Sequence, residues 1–497
     1  MTADRNFRGV RSELTWGEEI PVEQALTGGT VTLNTVTGLS GMVVNKYAGQ
    51  VATVVPTHAP ASSADALKFH IVSNTATVLT FEETAAGTGL AATDRLVITQ
   101  RNETPVDLGF YFGHVEESEM PERKIEPFKG FYKGSDNMPY AHEIIPMKVS
   151  YEASIPIRVV NGKLLYLAMG HVEDSAYTTA QTCADTTKTI TNPTVPGQST
   201  VTSTAHGLGA SPGYFQFGTT GDACGPEIRY CALATNTLTC AVPLRREHPA
   251  LAKIYGPITV GTGYIIHTLK IGDQVPYFSL KRTFYNYKTN VLTNDYCKIY
   301  RGLKAKSLEL SIAPGDAPLQ ASMSVSGLSI SDAEVVREAT IDKAGYTNLS
   351  PYIYKGAVTK INDIIYRQAG EMSGSIDREM ETKYYSEIKP QTNDQTYGYL
   401  DPSEHLEGLV NANFNVTIPL HNTNFWLMLK NMTNLGIATE TSHTLTRGTN
   451  DDMAIRFYNP LLIEGSEPLP RGGEVPLNLQ FEASHPIITV KDQMYFY

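Results

Sequence analysis

The chain has 497 residues, enough for several domains with substantial cores. Only 18% of residues are charged, Tyr occurs 27 times, and Thr, Val, Ser and Gly recur in strand-like runs, a composition that predicts an all-β fold with short helices. The formal net charge of −11 argues against a protein that grips nucleic acid through clustered Lys and Arg, and no stretch approaches the roughly 18 consecutive apolar residues that cross a membrane.

The first residues, MTADRNFRGVRSELTWGEE, are charged and lack the apolar centre of a signal peptide, which predicts a protein made in the cytoplasm. Residues 1–26 read as an extended arm. Leu14, Thr15 and Trp16 are its docking residues, directed at the chain's own core or at a neighbouring subunit. Residues 27–100 change to Thr, Val, Ala and Gly with alternating stretches at Thr30 to Thr35, Gln50 to Val55 and Thr75 to Phe81, the pattern of a small inserted β-domain.

A larger unit begins at 101–174, with a hairpin start at Tyr111-Phe112-Gly113 and an acidic run of Glu116, Glu117, Glu119 and Glu122. That run reads as a solvated loop or an acidic rim. Residues 175–262 read as a second β-insertion, in which His206 is a turn residue and Arg245, Arg246 and His248 form a short basic patch. Of the five cysteines, Cys183, Cys224, Cys231 and Cys240 lie in this insertion and Cys297 follows it. No CxxC pair occurs among them, so structural zinc is not expected.

The larger unit resumes at 263–330 with the most strongly patterned stretch of the chain. Leu308, Leu310 and Ile312 alternate with Glu309 and Ser311. Beyond Pro314-Gly315-Asp316, Leu319, Ala321, Met323 and Val325 alternate with Gln320, Ser322, Ser324 and Ser326. This is a long hairpin with one apolar face and one small, hydroxyl-rich face. Residues 331–345 read as a short amphipathic helix or linker. Residues 346–497 carry two more hairpins: one opens at Tyr354 and returns through Met372, Gly374 and Ile376 against Asp377, Glu379 and Glu381, the other opens at Phe457 and returns through Leu477, Leu479 and Phe481. The final stretch from Ile487 is strand-like and should be pinned against a sheet.

The two large units look like copies. Ser154-Ile155-Pro156-Ile157 with Leu164 to Met169 aligns without a gap on Thr417-Ile418-Pro419-Leu420 with Leu427 to Met432, at a constant offset of 263. The span from Ile155 to Tyr300 far exceeds that from Ile418 to Tyr458, so the first copy holds the large insertion. Nucleophile elbows, phosphate-binding loops, dinucleotide fingerprints and zinc-protease helices are absent from the sequence, and no catalytic residue, metal or cofactor is expected. Asn450-Asp451-Asp452 lacks calcium-loop spacing and reads as a turn.

Thr15-Trp16-Gly17-Glu18, the hairpin from Leu303 to Gly327 with Pro314-Gly315 at its tip, and the repeated Ile-Pro strand and helix together resemble the major tail tube proteins of long, non-contractile-tailed phages and related archaeal viruses. The resemblance implies two tandem tail-tube-type β-sandwich or barrel domains plus two small β-insertions. It implies homotrimeric, pseudo-hexameric rings stacked into a tube in the virion tail. Viral DNA or a tape measure protein would pass through the lumen, and tail terminator and tail tip proteins would meet the ends. Glu309, Ser311, Gln320, Ser322, Ser324 and Ser326 of the first copy and Asp377, Glu379 and Glu381 of the second are then expected to face the lumen. The competing expectations are a terminator or distal tail adaptor ring, a glycan-binding adhesin and, last, a carbohydrate hydrolase.

Overall fold

The computed structural model describes residues 7–19, 22–25, 30–39, 51–55, 68–82, 95–99, 110–111, 114–115, 120–130, 143–174, 188–194, 198, 200–204, 207–208, 212–218, 227–240, 244, 248–258, 264–286, 295–315, 317–335, 350–354, 357–361, 364–366, 369–384, 402, 404–419, 427, 440–448, 451–466 and 475–492. It is almost entirely antiparallel β-sheet. In chain order, β1 (Phe7–Glu19) is followed by β2 to β8 (22–99), which form a seven-stranded sheet of their own. Next come β9 (Phe110–Tyr111), β10 (His114–Val115), β11 (Glu122–Gly130), β12 (Glu143–Arg158), α1 (Lys163–Met169) and β13 (Gly170–Asp174). Strands β14 to β18 (200–258) form a separate five-stranded sheet. The chain then runs through β19 (Ile265–Ile271), β20 (Tyr277–Asn286), β21 (Asp295–Ile312), β22 (Gln320–Ser326), β23 (Ser329–Val335), β24 (Val358–Ile361) and β25 (Ile364–Tyr366). It closes with β26 (Met372–Lys383), β27 (Glu404–Pro419), β28 (Glu440–Gly448), β29 (Asp451–Tyr458), β30 (Leu461–Ser466), β31 (Pro476–Ala483) and β32 (His485–Asp492).

The largest sheet repeats its own order. Strands β11-β12-β22-β21 are followed, side by side, by β26-β27-β31-β30. The Ile-Pro strands hold equivalent places, with Ile155 opposite Met323 on β22 and Ile418 opposite Leu477 on β31. A second sheet, β13-β19-β32-β29-β28-β24-β25, lies across the apolar face of the first, and one core runs between them. Ile155, Leu308, Met323, Ile376, Phe414, Phe457 and Phe481 all belong to that core and are buried. The alternation that predicted the long hairpin is what fills it: every second residue points inward along 308–312 of β21, along β22, along 372–378 of β26, along 412–418 of β27 and along β31.

Helix α1 is buried along its whole length. Asn161 Oδ1 accepts from the Lys163 amide at 3.0 Å, and Gly170, at φ 90°, ends the helix by donating its amide to Tyr166 O. Strand β21 is long because it serves two sheet segments. Its first half lies between β20 and β23 and its second half between β22 and β26. The change of partners falls near Gly302, whose φ of 59° and close packing on Leu328 leave no room for a Cβ.

Four sequence expectations take a different form. Residues 7–19 are a sheet strand rather than an extended arm, paired with β20 and β9. Of residues 331–345, read as a short amphipathic helix or linker, 331–335 belong to strand β23, because Ser329 to Val335 find the first half of β21 as a partner; 336–349 lie outside the described residues. The returning strand at Met372 pairs with β21 and β27, while the residues after Tyr354 turn into β24 and β25 of the second sheet. The last hairpin is β30–β31, opened by Leu461, and Phe457 instead lies in β29 of the second sheet. The second copy's helix, except Leu427, lies outside the described residues. So do Gly472-Gly473, Cys183, Cys224, His206, Arg245, Arg246, Glu116, Glu117, Glu119 and the terminal Tyr495-Phe496-Tyr497.

Candidate functional site

The face of the large sheet turned away from the core is a continuous polar surface. Register places Arg158, Gln320, Ser311, Ser373, Asn415 and Gln480 in one row across the strands. A second row holds Pro156, Ser322, Glu309, Ser375, Asn413 and Glu482. A third holds Ser154, Ser324, Ser307, Asp377 and Asn411. A hollow of about 340 Å³ opens on this face and is lined from Pro156 on β12 to Asn415 on β27. The hollow is shared by five neighbouring strands, β12, β22, β21, β26 and β27.

The side chains on this face bond mainly to one another. Ser154 and Ser322 hydroxyls lie 2.8 Å apart, Ser375 donates to Asp377 at 3.0 Å, and Thr417 donates to Asn478 at 2.9 Å. Cations toward the β11 edge are met by carboxylates, Lys148 by Glu126 at 3.0 Å and Lys306 by Glu152 at 3.8 Å. The hydrogen bond to Glu126 raises the Lys148 pKa. Short hydroxyl and amide groups satisfied by their neighbours make a smooth wall and do not converge on a single bound atom. Among the described residues, no group of three or more His, Cys, Asp or Glu is placed to hold a metal ion.

Of the nine residues expected on one face, Glu309, Ser311, Gln320, Ser322, Ser324, Asp377, Glu379 and Glu381 are exposed or half-buried there. Ser326 is 4% exposed, covered where β21 bulges between Ala305 and Ser307. The same face also includes Ser154, Ser373, Ser375, Asn411, Asn413 and Asn415. Their signal was present in the sequence, since Asn411, Asn413 and Asn415 alternate with Ala412, Phe414 and Val416, but β27 was recognised there only by its Ile-Pro end. Leu14, Thr15 and Trp16 lie elsewhere. Trp16 is 1% exposed in the core, Thr15 Oγ1 donates to Lys281 O, and Leu14 packs against the same core. Glu18 accepts from Tyr166 of α1 at 3.0 Å and Glu19 accepts from the Gly302 amide at 2.8 Å, so this strand is tied into its own chain.

Two buried polar clusters sit away from this face. His267 on β19 lies between Asp174 on β13, 2.7 Å from Nδ1, and Asp492 on β32, 3.2 Å from Nε2. In the β14 to β18 sheet, His248 faces Glu227 at 2.7 Å and Gly218 O at 2.9 Å, so it is a buried bracing residue and not part of an exposed basic patch.

The fold class is therefore a multi-sheet antiparallel β-protein with one described α-helix. Among the described residues no helix is long and apolar enough to cross a membrane. No family model matches the chain, and no curated protein matches it.

Proposed function

We propose that this chain is a structural protein that assembles with copies of itself into stacked rings, forming the hollow tail tube through which viral DNA passes. The observation that carries the reading is the polar face spread over a strand order that occurs twice, which among the described residues ends on both sides in strands with a partner on one side only. A sheet with two free edges is an aggregation hazard in a monomer, and closure into a barrel removes it. Three chains giving eight strands each would make a barrel of about 24 strands. At about 4.8 Å per strand and about 40° of tilt, its backbone diameter is roughly 48 Å, which leaves room for a duplex and its water.

The chemistry of the face fits such a passage. Duplex DNA carries about one charge per 1.7 Å, and a Lys-rich wall would retain it. Hydroxyls, amides and scattered carboxylates do not, and at physiological salt only charges within about 8 Å are felt. In this reading the tape measure protein precedes the DNA, and terminator and tip proteins cap the tube.

Electron microscopy of the purified chain at rising concentration tests the reading. Stacked rings or tubes with three large units in end view are expected. Isolated rings that never stack would point to a terminator or adaptor, and monodisperse monomers that bind saccharide would replace the reading with an adhesin.

A further inference from the structure

The five-stranded sheet carries a pair of thiols that the polar face does not use. Its strands are β14 (Thr200–Thr202), β15 (Gly213–Phe217), β16 (Glu227–Ala234), β17 (Thr237–Cys240) and β18 (Ile254–Ile258), in the spatial order β14-β17-β16-β15-β18. Ala234 lies opposite Thr237 across Thr235 and Asn236, so β16 and β17 form a tight hairpin. Away from that turn the ladder continues with Leu233 opposite Leu238, Ala232 opposite Thr239 and Cys231 opposite Cys240.

Directly opposed residues of an antiparallel ladder share a face and have Cα atoms about 4.5–5.5 Å apart, inside the range of about 4.4–6.8 Å that a disulfide spans. The two Sγ atoms are in contact at 2.9 Å. Both residues belong to the core of this sheet, with Val201, Phe215, Leu238 and Leu244 around them; Cys231 is fully buried and Cys240 is 3% exposed. Cys297 is placed differently: it lies in β21 of the large sheet, and its Sγ donates to Thr283 Oγ1 at 3.5 Å. The Cys231–Cys240 pair also sits at the end of the ladder away from the turn. Strand β14 reaches the rest of the sheet only through β17, and β17 only through β16, so a bond at this point would close the hairpin that carries both.

We propose that Cys231 and Cys240 are a site of covalent modification, open as two thiols in a reducing medium and closed by a small-molecule disulfide, such as oxidised glutathione, into a disulfide across β16 and β17. Cys240, which alone of the two has exposed surface, is the entry point. Its thiolate attacks one sulfur of glutathione disulfide, expels one glutathione thiolate and leaves a mixed disulfide. Cys231 then loses its proton and attacks Cys240 Sγ, and the second glutathione leaves. The two protein thiols give up two protons and two electrons in all, and the oxidised glutathione becomes two glutathione thiols. The hydrogen bond to Cys240 and burial both raise the Cys231 pKa, which keeps that thiol protonated and unreactive while the pair is reduced. This inference goes beyond the assembly reading and does not depend on it.

Tyr230 to Arg245 is a single tryptic peptide that holds these two cysteines and no other, so the bond can be read directly. The full-length chain, purified under reductant and then incubated with oxidised glutathione, should yield this peptide two hydrogens lighter and resistant to alkylation, and dithiothreitol should restore both thiols. The double variant Cys183→Ser with Cys224→Ser should close in the same way. Closure should slow proteolysis of the native chain within residues 188–258 by at least about tenfold, because the closed loop has fewer open states to expose. In Cys231→Ser with Cys240→Ser, oxidised glutathione should leave the proteolysis rate unchanged. Two alkylated thiols in the peptide after oxidation, a lasting glutathione adduct, or a bond from either residue to Cys183 or Cys224 would overturn the pairing. Closure that leaves the proteolysis rate of the unaltered chain where it was would overturn its role in holding the sheet.

Discussion

Raising the pH from about 7.5 to about 9 should weaken the second sheet through His267. The ring is fully buried on β19. Burial alone favours its neutral form, but the carboxylates of Asp174 and Asp492 outweigh it and raise the pKa from 6.5 to about 10. In the unfolded chain the value returns to about 6.5. The folded protein therefore keeps a proton that the unfolded chain has lost anywhere between these limits. The stabilisation is complete below pH 6.5 and is lost as the pH rises through about 10. The slope is about 1.4 kcal/mol per pH unit, so this group alone removes about 2 kcal/mol between pH 7.5 and 9. Urea unfolding of dilute protein at both pH values, for the native chain and for His267→Gln, isolates it from other titrating groups. The stability gap between the two proteins should shrink by about 2 kcal/mol across that interval. A gap that stays constant would refute the claim that His267 is held as a cation.

Three further outcomes are expected. Glu407 is a buried anion that accepts from Lys304, from Arg378 at 3.2 Å and from the Val275 amide at 2.9 Å. Glu407→Gln removes the carboxylate that pairs with both buried cations and should cost about 3–5 kcal/mol, read from the urea midpoint; a loss below about 1 kcal/mol would show the cluster to be solvated. Phe414 is fully buried, with ring centroids 5.0 Å from Phe457 and 6.2 Å from Phe481. Phe414→Ala should cost about 3–5 kcal/mol in the same assay, and a change under about 1.5 kcal/mol would mean that the site collapses. Ser322→Lys with Ser324→Lys should leave the fold stable, and tubes of this variant should retain short duplex DNA at low salt and release it as salt rises; retention equal to that of the native chain would count against a lumenal wall.

The part of the fold legible in the sequence was the part governed by period two. Leu308, Leu310 and Ile312 against Glu309 and Ser311 fixed which face of β21 is buried, and Met372 to Glu381 did the same for β26. Pairing partners were less legible. Strand β26 was assigned to the segment just before it, yet it pairs with β27 across a connection of which 385–401 lies outside the described residues, and with β21 of the other half. Alternation tells a strand which side to bury and says nothing of which strand lies beside it. The same limit explains β1. A Trp between Thr15 and Gly17 in a charged segment reads as a docking residue for the chain's own core or for a neighbouring subunit, and only the fold shows that it is the core, with Lys163 Nζ 5.5 Å from the ring centroid. His267 was invisible for a related reason, since Asp174 and Asp492 are brought to it from distant parts of the chain.

The buried polar clusters of the two large sheets share a location that their energetics do not explain. His267 and Asp174 belong to the first half and reach Asp492 of the second. Glu407 and Arg378 belong to the second and reach Lys304 and Gly272 O of the first. Arg447, paired with Asp451 through Nε at 2.6 Å and stacked on Tyr352, reaches Val160 O of the first at 2.9 Å. Apolar packing would hold the halves together at lower desolvation cost, because a buried ion pair rarely outdoes the hydrophobic side chains it replaces. Apolar packing is also non-directional, and two similar sheets can slide past one another with little loss of contact. The β21–β26 and β19–β32 ladders already fix the register between the halves, and directional bonds at three points along the join add to that constraint. That constraint matters most if copies of the chain assemble as proposed above, since an error of a few degrees at this join would be repeated in every copy.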